Sequence, residues 1–162
     1  MVRVVKGLQV EWGMCSRTVS LDNNPLALSC WNNTIAVGSE AIDITIFDGI
    51  TGSQVVTLSG HTDWVRALTF SLDGVSLVSG SDDRTVKLWD VQTGGVVKTF
   101  SSHTDWVWSV SILADCTRIA SGSSHGEVCL WDIQTGGCQH IIMELGIIYH
   151  IFFSPTVSRR CH

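Results

Sequence analysis

The sequence has little proline and little charge, and each shortage excludes a class of protein. Only 2 of its 162 residues are proline and 15% are charged, whereas 44% are hydrophobic. A disordered chain needs more charge and less apolar surface, so we expect this chain to fold. Basic residues are also scarce, because 10 Lys and Arg stand against 15 Asp and Glu, giving a net charge of −5. That balance argues against nucleic acid as a partner, since phosphate binding needs a basic surface.

Long apolar runs and paired cysteines are absent as well. No apolar stretch approaches the roughly 20 residues of a membrane-spanning helix. The first residues, "MVRVVKGLQVEWG", lack the uninterrupted apolar core of a signal peptide. The six cysteines form no C-x-x-C pair and have no metal-ligand spacing with the histidines. We therefore expect reduced thiols and a cytoplasmic location, with no membrane partner, no metal and no other cofactor.

What the sequence does contain is a repeat with a period of 42 residues. The stretch "SGHTDWVRALTF" at 59–70 returns as "SSHTDWVWSVSI" at 101–112, and "LWDVQTGG" at 88–95 returns as "LWDIQTGG" at 130–137. One period earlier, "IFDGITGS" keeps the aspartate at Asp48 but has Phe47 in place of tryptophan. Later in the chain, "GIIYHIFFSP" repeats "DWVWSVSILA" if one residue is deleted. The chain is therefore predicted to consist of repeated units of one structural type.

Within each unit the hydrophobic pattern alternates with a period of two, which predicts short strands. In the clearest unit we expect strands at residues 65–70, 77–79 and 85–89, with a fourth at residues 55–58 or 96–100. The intervening segments are rich in Gly, Asp, Ser and Thr, which favour turns, and central strands tolerate little proline. Nothing in the sequence favours a helix. Four short strands in about 40 residues are typical of a propeller blade, so the predicted fold class is all-β.

The markers of the clearest unit resemble those of a WD40 repeat. They are Gly60-His61 before the first strand, Ser79-Gly80 ending the second, Asp83 six residues before Trp89, and Trp89-Asp90 closing the third. The sequences of the units are also similar to those of the WD40 arrays of fungal NACHT-containing (NLR-like) signalling receptors. The WD40 resemblance covers roughly residues 25–155.

The resemblance implies a WD40-type propeller segment with about three full four-stranded blades and the start of a fourth. We divide the chain into an unassigned N-terminal segment (1–20), a degenerate first blade (21–58), two WD40 blades (59–100 and 101–142), and a partial blade with a tail (143–162). Propellers of this family close into a ring with more blades than this. An open arc would expose apolar faces at both ends, so we expect self-association that completes the propeller. The alternative is an incomplete gene product without an independent role.

The resemblance further implies a hydrogen-bonded network in each blade, running from surface to core. In the two clearest units it places this network on His61, Ser79, Asp83, Trp89, His103, Ser121 and Trp131. A half-buried imidazole needs partners for both nitrogens, and an indole N–H needs an acceptor, so these residues are interpreted as structural rather than catalytic. The third unit has His125 where Asp83 stands in the second, so its network is expected to be compromised. The first unit has Phe47 and Ala41 at the Trp and Asp positions and is expected to rely on packing.

The residues that change between units are the candidates for binding. By the resemblance, positions three and five beyond the histidine and the residue before the turn aspartate line the top face of the propeller, where partners dock. In the second and third units these are Trp64, Arg66, Asp82, Trp106, Trp108 and Ser124. The expected counterparts are Asp22, Asn24 and Glu40 in the first unit, and Ile147 and Tyr149 in the fourth. Trp, Tyr and Arg commonly anchor protein interfaces. The alternative is that some of the tryptophans fill space between blades.

The expected function is therefore non-catalytic recognition of a protein partner on the top face, by the sensing array of a fungal NLR-like receptor or a stand-alone piece of one. One alternative is a constitutive scaffold. Another is a serine hydrolase using Ser124, because residues 122–126 read Gly-Ser-Ser-His-Gly and fit G-x-S-x-G. That motif needs a strand, a sharp turn and a helix, whereas this stretch aligns with an ordinary turn at residues 80–84.

Overall fold

The structure, a computed structural model, describes residues 2–5, 9–12, 24–143 and 148–153. These ranges contain fourteen strands and no helix, and hence no helix long and apolar enough to cross a membrane. The strands are β1 (Val2–Val5), β2 (Gln9–Trp12), β3 (Pro25–Trp31), β4 (Thr34–Ser39), β5 (Ile44–Asp48), β6 (Gln54–Leu58), β7 (Val65–Phe70), β8 (Ser76–Ser81), β9 (Val86–Asp90), β10 (Val96–Phe100), β11 (Val107–Ile112), β12 (Arg118–Ser123), β13 (Glu127–Asp132) and β14 (Cys138–Met143). The first two pair as an antiparallel hairpin.

The other twelve strands form three antiparallel sheets, each of four consecutive strands. The first sheet is β3–β6, the second β7–β10 and the third β11–β14, and in each one every strand pairs with its neighbour in sequence. The prediction of an all-β, WD40-type fold with four short strands per unit is confirmed. The second strand of the clearest unit is longer than expected, since β8 spans Ser76–Ser81, because the pairing with β7 and β9 extends into both flanking residues.

The three sheets stack face to face, and two apolar clusters fill the spaces between them. One cluster joins the first and second sheets and contains Trp89, while the other joins the second and third sheets and contains Trp131. Both indoles are almost fully buried. The first strand of each sheet packs against the sheet before it, β7 against β3 and β4, and β11 against β7 and β8. The second sheet therefore buries apolar side chains on both of its faces.

A glycine in the second strand of each sheet permits this close stacking. A Cβ atom at Gly38 would lie 2.8 Å from the Cγ1 atom of Val65, and one at Gly80 would lie 2.6 Å from that of Val107. Gly122 in the third sheet is covered in the same way by Ile148. Real Cβ atoms do not come this near to a methyl carbon, so the spacing of the sheets depends on glycine at these positions.

Residues 148–153 lie against the third sheet as the first strand of each sheet lies against the one before it. The backbone N–H of Phe153 donates to the Ser111 hydroxyl at 3.1 Å, just as the N–H of Phe70 donates to the Ser29 hydroxyl at 3.1 Å. The outer side of the third sheet is thus partly covered by its own chain.

Candidate functional site

The second sheet contains a continuous hydrogen-bonded chain from a surface turn to the core. The Nδ1 atom of His61 lies 2.7 Å from the Asp83 carboxylate, and its Nε2 atom lies 2.6 Å from the Ser79 hydroxyl. The indole N–H of Trp89 donates to the same hydroxyl oxygen at 2.7 Å. This geometry is satisfied if Nδ1–H donates to Asp83 and the Ser79 hydroxyl donates to Nε2. His61 is 2% exposed, and both of its ring nitrogens have hydrogen-bond partners within the fold.

The third sheet carries the same chain, but a different residue supplies the carboxylate. His103 Nε2 lies 2.6 Å from the Ser121 hydroxyl, which also accepts from the Trp131 indole at 2.7 Å. On the other side, His103 Nδ1 lies 3.1 Å from the carboxylate of Glu127, the first residue of β13. The expectation that His125 compromises this network was therefore wrong. Glutamate has one more methylene than aspartate, so it reaches the imidazole from two positions further along the chain.

Further hydrogen bonds, from Thr104 and, at 3.5 Å, from the Ser123 hydroxyl, hold the Glu127 carboxylate in place. The backbone N–H and the hydroxyl of Thr104 donate to it at 3.0 and 2.6 Å. His125 instead points away from the network, with a side chain that is 75% exposed and in contact with Asp105. The signal for Glu127 in the sequence is an acidic residue two positions after His125, just before the segment that ends in Trp131-Asp132.

The network carboxylates are held in their ionised form. Burial by itself would raise the pKa of Asp83, but hydrogen bonds from His61 and Thr85 outweigh it and hold the pKa well below its usual range. Burial opposes ionisation of Glu127 as well, and there the hydrogen bonds from Thr104 and His103 lower the pKa. Each buried imidazole therefore faces a negative charge.

At the end of the sheets where β7 and β11 begin, three tryptophans surround one arginine. The Arg66 guanidinium carbon lies 5.0 Å from the ring centre of Trp64, 5.8 Å from that of Trp106 and 5.5 Å from that of Trp108. The same guanidinium makes a two-pronged pair with Asp82, at 2.9 Å from Nε to Oδ1 and 2.8 Å from Nη2 to Oδ2. We call the surface formed by Trp64, Arg66, Asp82, Trp106, Trp108 and Tyr149 the tryptophan face.

The members of the tryptophan face differ in exposure. Trp64 and Trp106 are 38% and 43% exposed, and Tyr149, whose ring packs edge-on against Trp108 at 5.5 Å, is 57% exposed. Asp82 is buried beneath Arg66, and Trp108 is only partly exposed. The Nε1 atom of Trp108 is buried and has no acceptor among the described residues. The two repeated tryptophans, rather than Trp108, offer the larger accessible surface.

Local backbone geometry aims these side chains. The pairing of β7 with β8 has an irregularity between Val65 and Ala67, and that of β11 with β12 has one between Val107 and Ser109. Arg66 and Trp108 lie at these irregularities and have no paired residue on the neighbouring strand. Bulges of this kind turn a side chain out of the regular alternation of a strand. The irregularity therefore turns both residues toward the tryptophan face.

In the first sheet the expected register of face residues was wrong by two positions. The backbone N–H of Glu40 donates to the Asn24 carbonyl, as that of Asp82 donates to the Trp64 carbonyl. Asn24 is therefore the counterpart of Trp64, and Leu26 rather than Asn24 is the counterpart of Arg66. The hairpin between β3 and β4 is two residues shorter than the later ones, which accounts for the shift. Asp22 and Ile147 lie outside the described residues.

Ser124 lacks the surroundings of a nucleophile. It lies in the turn between strands β12 and β13, where its hydroxyl donates to the Asp105 carboxylate at 2.5 Å. The same carboxylate contacts His125, so the aspartate stands between the serine and the histidine. A catalytic triad needs the histidine in that middle position, as the base that takes the serine proton. The described ranges also contain no group of three His, Cys, Asp or Glu side chains able to hold a metal.

Comparison with known proteins relates the chain to a repeat family and to a fungal protein. Residues 52–90 and 94–132 match the model of the WD40 family, described as WD domain, G-beta repeat. Over 45 residues the chain is 49% identical to the nuclear distribution protein PAC1 of Mycosarcoma maydis. That alignment covers 28% of this chain and 10% of the relative.

Proposed function

Because the chain carries repeats of the WD40 family, which are protein-interaction modules, we propose that it binds a protein partner through the tryptophan face without catalysing a reaction. The observation that supports this most directly is the exposure of Trp64 and Trp106, at 38% and 43%. Adjacent sheets bring these two large apolar side chains together beside Arg66. Exposed groups of aromatic residues on a folded protein favour an interface, and Trp, Tyr and Arg contribute most to binding energy.

The variation between units supports the same proposal. The network residues recur with little change from the second unit to the third, whereas Arg66 is replaced by Trp108 and Asp82 by Ser124 at the face. Trp64 and Trp106 recur at the face as well, so the argument from variation applies to the positions beside them. Positions that vary on a repeated scaffold are expected of a surface that must match a partner.

The test is the double variant Trp64→Ala/Trp106→Ala, with Leu72→Ala as a matched control. Leu72 is 73% exposed and lies in the turn after β7, at the opposite end of the same sheet. In quantitative affinity capture, we expect the double variant to fail to bind proteins that the unaltered chain binds. The control should bind the same proteins as the unaltered chain. Loss of one interface anchor weakens binding by about tenfold or more. Identical capture profiles for all three proteins would show that binding does not use this face.

The finer proposal is that the module senses a signal, as in the arrays of fungal NLR-like receptors, and the alternative is a constitutive scaffold. The similarity of the repeated units, with their identical "HTDWV" and "QTGG" segments, to the units of those arrays supports the sensing role. A sensor retains its partner only under particular conditions, whereas a scaffold retains the same partner in all of them. Capture that depends on the tryptophan face, compared between challenged and unchallenged cells, distinguishes the two.

A further inference from the structure

We propose that the tryptophan face recognises a cationic, arginine-containing segment of its partner. This inference rests on the proposed function, since it names the kind of partner that the same surface binds. Two independent features of the face support it: its surplus of negative charge and the way its indoles already hold a guanidinium.

The charge on and around the tryptophan face is negative. The described residues place two arginines on or near it: Arg66, which the two-pronged pair with Asp82 neutralises, and the exposed Arg84, two residues after Asp82 in the turn between β8 and β9. Asp63 and Glu40 are close enough to raise the pKa of Arg66 further, after the larger effect of Asp82. Asp105, next to Trp106, adds another carboxylate, whose pKa is lowered mainly by the hydrogen bond from Ser124. Asp105 also contacts His125, but the four carboxylates of Asp82, Asp63, Glu40 and Asp105 still outnumber the two arginines, and such a surplus attracts a positively charged partner.

Arg66 is poorly placed to bind an anion. Its side-on pair of donors, Nε–H and one Nη2–H, is occupied by Asp82. A phosphate or carboxylate ligand at that pair would have to displace Asp82, which is buried beneath the face. The charge of Arg66 is thus already matched by Asp82, and an anion that approached its remaining Nη1 and Nη2 hydrogens would gain little from it.

The indoles of the face are arranged to stack on guanidinium groups. All three ring centres lie between 5.0 and 5.8 Å from the Arg66 guanidinium carbon, within the range of cation–π attraction. Trp64 and Trp106 keep much of their surface exposed despite this contact. A second guanidinium could contact that remaining surface while it approaches Asp63 or Glu40. A planar guanidinium suits both contacts better than an ammonium does, because it stacks on rings and pairs with carboxylates at once.

The first experiment uses the unaltered chain and a set of fluorescent peptides. A Gly/Ser-rich peptide containing arginines is compared with versions in which every arginine is replaced by lysine, glutamine or glutamate, and binding is followed by fluorescence polarisation. We expect the arginine peptide to bind at least about tenfold more tightly than the glutamine peptide, with lysine between them and glutamate unbound. Added salt should weaken the binding. Equal affinity for arginine and glutamine overturns the proposal, and equal affinity for arginine and lysine overturns the assignment to arginine.

The second experiment separates local from overall charge. Glu40→Gln and Asp63→Asn should each weaken the binding of the arginine peptide by about threefold to tenfold. The matched control is Asp115→Asn, which removes one carboxylate from the turn after β11, at the opposite end of the sheet. Asparagine there can still accept the bonds from Thr117. If the control weakens binding as much as Asp63→Asn does, net charge explains the effect and the proposal is wrong.

The outcome also separates this proposal from the proposed function. If Trp64→Ala/Trp106→Ala abolishes capture of cellular partners while the arginine peptide shows no preference, the face is an interface for a partner of different chemistry. If the double variant leaves capture unchanged, the proposed function fails, whatever the peptides show. The peptide comparison on the unaltered chain decides the question of chemistry even if a variant fails to fold.

Discussion

At the scale of single residues, the two buried histidines show how one structural device is built from different parts. His61 pairs with an aspartate from the turn, and His103 pairs with a glutamate from the following strand. Both imidazoles are largely buried, so each needs a partner for both nitrogens. The imidazole requires a carboxylate beside it. That carboxylate can come from different sequence positions, provided that its side chain is long enough to reach the ring.

Removing either carboxylate should destabilise the fold. We expect Asp83→Ala and Glu127→Ala each to lower the free energy of unfolding by about 1–3 kcal/mol, because a buried imidazole N–H loses its acceptor. His125→Ala, which alters an exposed side chain outside the network, should change it by less than about 0.5 kcal/mol. Denaturant unfolding measures all three. A larger loss from His125→Ala than from Glu127→Ala would contradict the assignment of the network.

The same carboxylates predict a dependence on pH. Their pKa values are lowered in the folded state, so their contribution to stability is present above the unfolded values, about 3.9 for Asp and 4.3 for Glu, and is lost as pH falls below them. As the pH falls from about 6 to about 2, the melting temperature of the unaltered chain should fall more steeply than that of Asp83→Asn. Exposed turn aspartates contribute equally to both proteins, so the difference isolates Asp83. Parallel curves would refute the prediction.

Trp108 gives a prediction of opposite sign. Its indole N–H is buried with no acceptor among the described residues, whereas that of Trp89 donates to Ser79. We expect Trp108→Phe to leave the free energy of unfolding unchanged or to raise it, and Trp89→Phe to lower it by about 1–3 kcal/mol. Both substitutions remove an indole N–H and keep an aromatic ring, so each controls for the other. Equal losses in chemical denaturation would mean that the Trp108 N–H has a partner in solution.

At the scale of elements, the distance between sheets is set in the second strand. A Cβ atom at Gly80 would meet Val107 at 2.6 Å and Val110 at 3.0 Å. We expect Gly80→Ala to destabilise the chain by about 1–3 kcal/mol through overpacking. Gly95→Ala is the control, since the nearest atom to its Cβ would be the Thr93 hydroxyl oxygen at 3.5 Å, an ordinary contact. The control should change stability by less than about 0.5 kcal/mol.

A double variant tests whether the clash is with β11 in particular. Val107→Ala removes the methyl groups nearest to Gly80, so Gly80→Ala should cost less in that background than in the unaltered chain. Unfolding free energies of the two single variants and the double variant give the coupling directly. Additive losses would show that alanine at residue 80 disturbs something other than the packing of the third sheet on the second.

At the scale of the whole molecule, the two ends of the stack of sheets expose less apolar surface than we expected from an open arc. On the first sheet, the side chains that point away from the second sheet are buried within the chain itself: Ile35 is 2% exposed, Val37 4% and Phe47 8%. On the third sheet, residues 148–153 cover part of the outer side. Less apolar surface is therefore available for self-association than an open arc would offer.

The outermost strand of each sheet is the remaining route to self-association. β6 and β10 are edge strands that carry Val55, 64% exposed, and Val97, 60% exposed. Unpaired edges with exposed valines add strands from other molecules. We predict a concentration-dependent dimer by light scattering, which Val55→Lys/Val97→Lys shifts to monomer. A monomer at all concentrations, with a single cooperative melt, would refute the prediction.

The sequence by itself determined the class of fold and the repeat. A period of two within a period of 42 residues admits only short strands in repeated units, because side chains alternate between the two faces of a sheet. The resemblance to a WD40 repeat also placed the network on His61, Ser79 and Trp89, whose spacing recurs intact in the next unit. These features depend on local geometry and on repetition, both of which can be read from the amino-acid sequence.

Only the tertiary structure decided which carboxylate meets His103, which first-sheet residues share the tryptophan face, and how deeply Trp108 lies. Glu127 replaces the expected aspartate because a longer side chain bridges a different number of backbone positions. Asn24 and Leu26 take the places of Trp64 and Arg66 because one hairpin is shorter by two residues. Trp108 is partly covered because Tyr149, from a segment 41 positions away, packs against it. Each outcome depends on distances through space between residues far apart in sequence, and a repeat pattern fixes those distances only where every unit has the same length.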